Sequence, residues 1–158
     1  MSTTASMARA GSASTPLALY HRAIGLAERI PLSLVQLAGR IAVGYVFWNS
    51  AQSKLASWPI TIQLFKMEYQ VPVLPPELAA TLATATELTG AILLFLGLFT
   101  RLSALALLGL VAVIQFFVYP GHWGEHLLWA SLLLLLLARG AGVVSLDFLA
   151  KRFFSRNM

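Results

Sequence analysis

The chain has 158 residues, of which 58% are hydrophobic and 11% are charged, and it contains no cysteine. A soluble domain of this size has too little interior for so many apolar side chains, so the composition argues against a soluble enzyme and indicates a membrane protein. Without cysteine, the chain has no disulfide, thiolate nucleophile or thiolate-held cluster of its own. The net charge of +5 does not indicate nucleic-acid binding, because the basic residues flank apolar runs.

Two segments precede the first apolar run. Residues 1–16 are small, polar and without a pattern, which predicts a disordered tail. Residues 17–30 place apolar side chains at helical spacing among arginines, which predicts a short helix on the cytoplasmic face of the membrane.

Four apolar runs follow, at about residues 32–52, 78–99, 102–119 and 123–137. They predict an all-α, polytopic membrane protein with a four-transmembrane-helix bundle over residues 31–142, flanked by interfacial amphipathic helices. Lysine and arginine cluster at alternate ends of the runs, which places both termini in the cytoplasm. Residues 143–158 predict an amphipathic, basic C-terminal helix capped by Ser145.

The connections between the runs differ in length. Thr100 and Arg101 predict a tight turn between the second and third runs, so these helices should be antiparallel neighbours. Pro120 and Gly121 predict the next turn. Residues 53–77 form the one long connection, on the outer side of the membrane.

Polar side chains inside the runs are the candidate functional residues, because a charge in hydrocarbon is costly. A rise of about 1.5 Å per residue places Tyr45, Glu87, Gln115 and His126 at one depth. Arg40 lies nearer the cytoplasm, but its long side chain reaches along the bundle. We therefore predict one polar layer that handles a ligand or protons, in which Arg40 pairs with Glu87. The alternative is a structural layer that only fixes helix register.

Residues 122–126 read His-Trp-Gly-Glu-His. This matches the H-x-x-E-H pattern of some zinc peptidases, but it follows a turn at a membrane edge, which argues against a peptidase. His122, Glu125 and His126 are a candidate metal site, and an interfacial histidine pair is the alternative. No phosphate-binding loop or G-x-S-x-G elbow occurs, which argues against a nucleotide-driven pump or a hydrolase.

Three stretches resemble the DoxX family: LAGRIAVGYVFWNSAQSKL, ATELTGAILLFLGLFTRLSAL and LARGAGVVSLD. The resemblance covers about residues 34–147 and implies a small four-span protein of the bacterial inner membrane. By matched position, it implies functional roles for Arg40, Lys54 and Glu87. The stretches VFWNSAQSK, EYQVPVLPP and FVYPGHWGEHLLW also resemble a subgroup encoded near peptide-modifying iron oxygenases and copper-buffering peptides.

The resemblance implies a redox setting, because some DoxX proteins are associated with thiosulfate:quinone oxidoreduction and another with a sulfurtransferase and a superoxide dismutase. One prediction is a non-catalytic membrane subunit or anchor of a redox or peptide-maturation complex. A second is a quinone-reactive oxidoreductase subunit, in which Arg40 or Lys54 stabilises a reduced anion and the polar layer binds the headgroup. A third is a metal-handling protein. The predicted partners are the lipid bilayer, redox or peptide-maturation proteins and further copies of the chain, but no nucleic acid.

Overall fold

The computed structural model describes residues 15–155, and the regular elements in this range are all helices. This confirms the all-α fold class. The chain divides into two units, Met1–Pro31 and Leu32–Met158. Helix α1 (Thr15–Ala27) belongs to the first unit. The predicted tail at residues 1–16 lies almost entirely outside the described residues.

The described part of the second unit contains six further α-helices. They are α2 (Leu32–Ala56), α3 (Trp58–Leu64), α4 (Pro76–Leu96), α5 (Thr100–Val113), α6 (Trp123–Arg139) and α7 (Leu146–Ser155). The first π-helical segment (Phe65–Tyr69) continues α3, and the second π-helical segment (Ile114–Val118) continues α5.

The four long helices of the second unit each pack against two others. Helix α2 contacts α4 and α6, and α5 contacts the same two helices. The space between them is filled by a fully apolar core that includes Val43, Phe47, Leu94, Leu107 and Leu133.

Helices α4 and α5 approach closely at Gly90. A Cβ there would lie 2.8 Å from Cγ of Leu107, so only glycine permits this contact. Close approach at a small residue is typical of helices packed within a membrane.

Two helices are long and apolar enough to cross a membrane, Pro76–Leu96 and Thr100–Val118. A third candidate arises only if α1 and α2 are counted together as one broken span. Helix α6 has 17 residues, slightly fewer than the about 20 that a bilayer requires. The chain is therefore a helical, multi-pass membrane protein, and the count of four spans stays a prediction.

The turn between α4 and α5 lies earlier than the sequence predicts. Helix α5 begins at Thr100, and the chain reverses over residues 97–99, where Gly97 has a φ of 63° that ends α4. The carboxylate of Asp147 accepts hydrogen bonds from the backbone N–H groups of Phe99 (2.8 Å) and Thr100 (3.0 Å). It thus satisfies donors at the start of α5 that would otherwise lack partners. Because Asp147 is distant in sequence, local patterns could not reveal this.

Helix α7 begins at Leu146, directly after Ser145, the capping residue that the sequence predicts. The Oγ of Ser145 accepts a hydrogen bond of 3.2 Å from the backbone N–H of Phe148 in the first turn of α7. Phe153 and Phe154 are exposed beside Lys151 and Arg152. Residues 156–158 of the predicted helix lie outside the described range.

Candidate functional site

A cavity of about 500 Å³ lies among α2, α4, α5 and the start of α6. The first π-helical segment also contributes to its wall through Phe65 and Tyr69. Most of the lining is apolar, for example Leu82, Leu110 and Val113. Ligand sites in proteins commonly have volumes of about 300–1,000 Å³ and apolar walls with a few placed polar groups. The cavity has both properties.

One wall holds an ion pair between Lys54 and Glu87. The Nζ of Lys54 donates hydrogen bonds to both carboxylate oxygens of Glu87 (2.9 and 2.8 Å) and to Oγ of Ser50 (2.7 Å). The hydroxyl of Ser50 in turn donates to Oε1 of Glu87 at 3.1 Å. Ser50 and Lys54 reach the same carboxylate because residues four apart share a face of a helix.

The predicted pairing of Arg40 with Glu87 is therefore wrong. Arg40 precedes Ser50 by ten residues, which corresponds to about 15 Å along the helix, so it cannot reach the level of Glu87. Its Nη2 instead donates a hydrogen bond of 2.6 Å to the backbone carbonyl of Val144. The predicted span ended at residue 52, whereas α2 continues to Ala56 and brings Lys54 into the bundle as the cation nearest to Glu87.

The lining also includes His126, which Gln115 positions. Oε1 of Gln115 lies 2.6 Å from Nδ1 of His126, and Nε2 of Gln115 donates a hydrogen bond of 2.9 Å to the carbonyl of Pro120. Gln115 belongs to the second π-helical segment, where the N–H of Tyr119 bonds the carbonyl of Ile114 at 2.8 Å. Such π-helical turns are frequent at functional sites.

Tyr119 lies at the rim of the cavity. Its hydroxyl donates a hydrogen bond of 2.8 Å to Oε1 of Glu68, and its ring packs against that of Tyr69 at 5.7 Å. Burial raises the pKa of the Tyr119 phenol, and the contacts with Tyr69 and Glu68 raise that pKa further. The phenol therefore stays protonated near neutral pH and holds the first π-helical segment against the second.

The structure brings together only part of the predicted polar layer. Lys54, Glu87 and His126 line the cavity, and Gln115 lies behind His126. Tyr45 is exposed on the outer surface of α2, and Arg40 lies toward the other end of that helix. Equal depth was the basis for including Tyr45, but depth does not determine which face of a helix a residue occupies.

His122, Glu125 and His126 all border the cavity. Helix α6 begins at Trp123, so His122 is its preceding residue, and the two histidine rings lie 6.3 Å apart. Within residues 15–155, no group of three or more histidine, aspartate or glutamate side chains is placed to hold a metal ion. The metal site remains a prediction from sequence.

Several lining residues were not predicted from the sequence. Ser50 had a usable signal, because it precedes Lys54 by one helical turn. Tyr69 and Tyr119 had none, because 50 residues separate them and only the packing of the two π-helical segments brings them together.

Comparison with known proteins supports the resemblance noted above. The model of the DoxX family matches residues 35–120, which is more than half of the chain. No curated protein and no solved structure matches this chain. The matched range includes Lys54, Glu87 and Gln115 and ends before His126. The chain is thus a membrane protein of the DoxX family.

Proposed function

We propose that this DoxX protein is the membrane subunit of a redox complex and that it binds a quinone-type ligand in its cavity. The observation that supports this most directly is the apolar cavity of about 500 Å³ bordered by two buried polar residues, Glu87 and His126. A quinone needs this combination, because its headgroup requires hydrogen-bonding partners and its tail requires apolar surface.

The chain would contribute binding and proton handling. Reduction of a quinone to a quinol consumes two electrons and two protons. The chain has no cysteine and hence no thiolate-held cluster of its own, so a partner redox protein would supply the electrons. Glu87 or His126 would exchange protons with the headgroup oxygens, because both side chains border the cavity and can bind and release a proton.

We further propose that α2 and α6 cross the bacterial inner membrane together with α4 and α5, with both termini in the cytoplasm. Helix α2 packs against α4 and helix α6 packs against α5, the two helices that are long and apolar enough to cross a membrane. Arg101 and Arg139 lie at the same end of the bundle as Arg40, and the segment between Arg139 and the basic helix α7 also packs there. An excess of basic residues at one end is typical of the cytoplasmic side.

The experiment is native mass spectrometry of the full chain in lipid nanodiscs supplied with a short-chain ubiquinone. Wild-type protein should retain the quinone. Ala83→Phe should lose it, because Ala83 lines the cavity and a phenyl ring would fill part of the space. Ala85→Phe is the matched control, because Ala85 is exposed on the same helix and does not line the cavity.

Equal retention of quinone by Ala83→Phe and Ala85→Phe would contradict binding in this cavity. Absence of quinone from the wild-type spectrum would contradict the proposed function itself. A retained metal ion would instead favour the site predicted at His122 and His126. The same spectra count the copies of the chain in each particle.

A contact surface for the redox partner is proposed at residues 70–75. Val73 there is 99% exposed and has a φ of 75°, which is strained for a β-branched residue. Val73→Gly removes both the exposed side chain and the strain, so we expect unchanged or higher thermal stability and weaker co-purification of the redox partner. Undiminished co-purification would contradict this surface.

A further inference from the structure

Gln115 determines which nitrogen of His126 bears a hydrogen. The amide Nε2 of Gln115 donates to the carbonyl of Pro120, so the amide oxygen must point toward His126. The reverse orientation would set two oxygen acceptors against each other. Because an amide oxygen can only accept, Nδ1 of His126 must be the donor of the 2.6 Å hydrogen bond.

The other ring nitrogen of His126 is therefore an acceptor in the neutral imidazole. His126 is only 4% exposed and lines the cavity. Its Nε2 has no hydrogen-bond partner among the described residues. This wall of the cavity offers a ligand a buried acceptor in place of a donor.

The part of the lining that holds Lys54 and Glu87 has the same polarity. All three hydrogens of the Lys54 ammonium are engaged, two with Glu87 and one with Ser50. The Ser50 hydroxyl hydrogen is donated to Oε1 of Glu87. Oε2 of Glu87 accepts only the bond from Lys54 and keeps a free lone pair. Glu87 is 2% exposed, so a second buried acceptor borders the cavity.

The hydrogen-bond donors among the lining side chains either already donate to another residue or belong to partly or fully exposed residues. The hydroxyl of Tyr119 donates to Glu68. Thr86, Tyr69, His122 and the indole N–H of Trp129 can still donate, but all four residues are partly or fully exposed, and the first three can accept equally well. The buried polar groups of the cavity thus favour a ligand that donates hydrogen bonds.

We propose that the cavity selects the reduced, dihydroxy form of a quinone-type ligand over the oxidised form. A hydroxyl of a quinol can donate a hydrogen bond to Nε2 of His126 or to Oε2 of Glu87. The carbonyl oxygens of a quinone are acceptors only and would face both of these acceptors unpaired. This inference rests on the proposed function and adds the redox state that the site prefers. Gln115 is a positioning residue, because it acts on the ligand only through His126.

The test measures equilibrium binding of three probes to the full wild-type chain in lipid nanodiscs under anaerobic conditions. The probes are decylubiquinone, decylubiquinol and the dimethyl ether of decylubiquinol, which has no hydroxyl hydrogen to donate. We expect the quinol to bind at least tenfold more tightly than either of the others. Equal or tighter binding of the quinone, or equal binding of the dimethyl ether, overturns the inference and leaves the proposed function standing. Absence of binding by all three probes overturns the proposed function.

Variants test the assigned positioning role. Gln115→Met removes the acceptor for Nδ1, so the ring is free to place its hydrogen on Nε2, and the tenfold preference for quinol should fall toward equal binding of both forms. A purely structural role for Gln115 would weaken both forms alike and leave their ratio unchanged, which would overturn the assignment. Tyr45→Phe is the control, because this exposed tyrosine lies outside the cavity and its loss should change neither affinity nor ratio.

Discussion

Helix α2 holds two cations, Arg40 and Lys54, and their surroundings differ. Arg40 is 1% exposed, lies against Gly97 and bonds one carbonyl, and no described carboxylate lies within ion-pair distance of it. Its Nε and Nη1 atoms have no partner among the described residues. Lys54 has a side chain that is 15% exposed, pairs with Glu87 and borders the cavity.

The difference shows that a buried charge in a membrane protein is not by itself evidence of a ligand site. Arg40 joins α2 to the segment before α7, close to where Gln36 donates hydrogen bonds to the carbonyls of Arg139 and Gly140. That end of the bundle is closed by these contacts. At the Lys54 end, Glu87 borders the cavity and its Oε2 keeps a free lone pair, so a polar group remains available to a ligand.

The largest expected effect follows removal of the Lys54 charge. Lys54→Met leaves the carboxylate of Glu87 buried without a cation, and breaking a buried pair in this way costs about 3–5 kcal/mol. The double variant Lys54→Met/Glu87→Gln should recover most of this loss, because no charge is left unpaired. Thermal unfolding in mild detergent measures both values. Equal stability of the single and double variants would show that the pair does not act as a unit.

Gly97→Ala tests the closed end of the bundle. A left-handed conformation costs an alanine about 1–2 kcal/mol, and its Cβ would also overlap Nη1 of Arg40 and lie 2.6 Å from Cβ of Ser145. We expect a total loss above about 2 kcal/mol. Gly109→Ala is the matched control, because a Cβ there meets no atom within 4 Å, and it should leave the unfolding temperature unchanged or raise it. Similar melting of both variants would contradict this account of Gly97.

Arg40→Met should have a smaller effect than Lys54→Met and should separate the two ends of the helix. It removes the hydrogen bond to Val144 and leaves that carbonyl without its partner, at a cost of about 1–3 kcal/mol, but it leaves no carboxylate that had been paired with the arginine. Quinol binding in nanodiscs should stay within error of wild type, because Arg40 does not line the cavity. A loss of binding with retained stability would show that the two ends are coupled.

Local sequence patterns were sufficient for part of the site. Glu87 and His126 could be identified because each is an ionisable residue in an apolar run. Such residues are costly in hydrocarbon, so their presence there indicates a candidate functional residue. The family resemblance also pointed to Lys54. Spacing along the chain could not identify the partners of these residues. Glu87 pairs with Lys54 because α2 is longer than its apolar run, and hydropathy alone ended the helix at residue 52.

The sequence by itself determined that this is an all-helical membrane protein with buried charges, because apolar content and helical periodicity are properties of the chain alone. Only the tertiary structure decided what each charge contacts. Contacts between distant residues, such as Asp147 with Thr100 or Gln115 with His126, depend on how the helices rotate and pack. The cavity between Glu87 and His126 depends on the same packing, since it is the space that four helices leave unfilled. Packing is a property of several segments together, so no single segment encodes it.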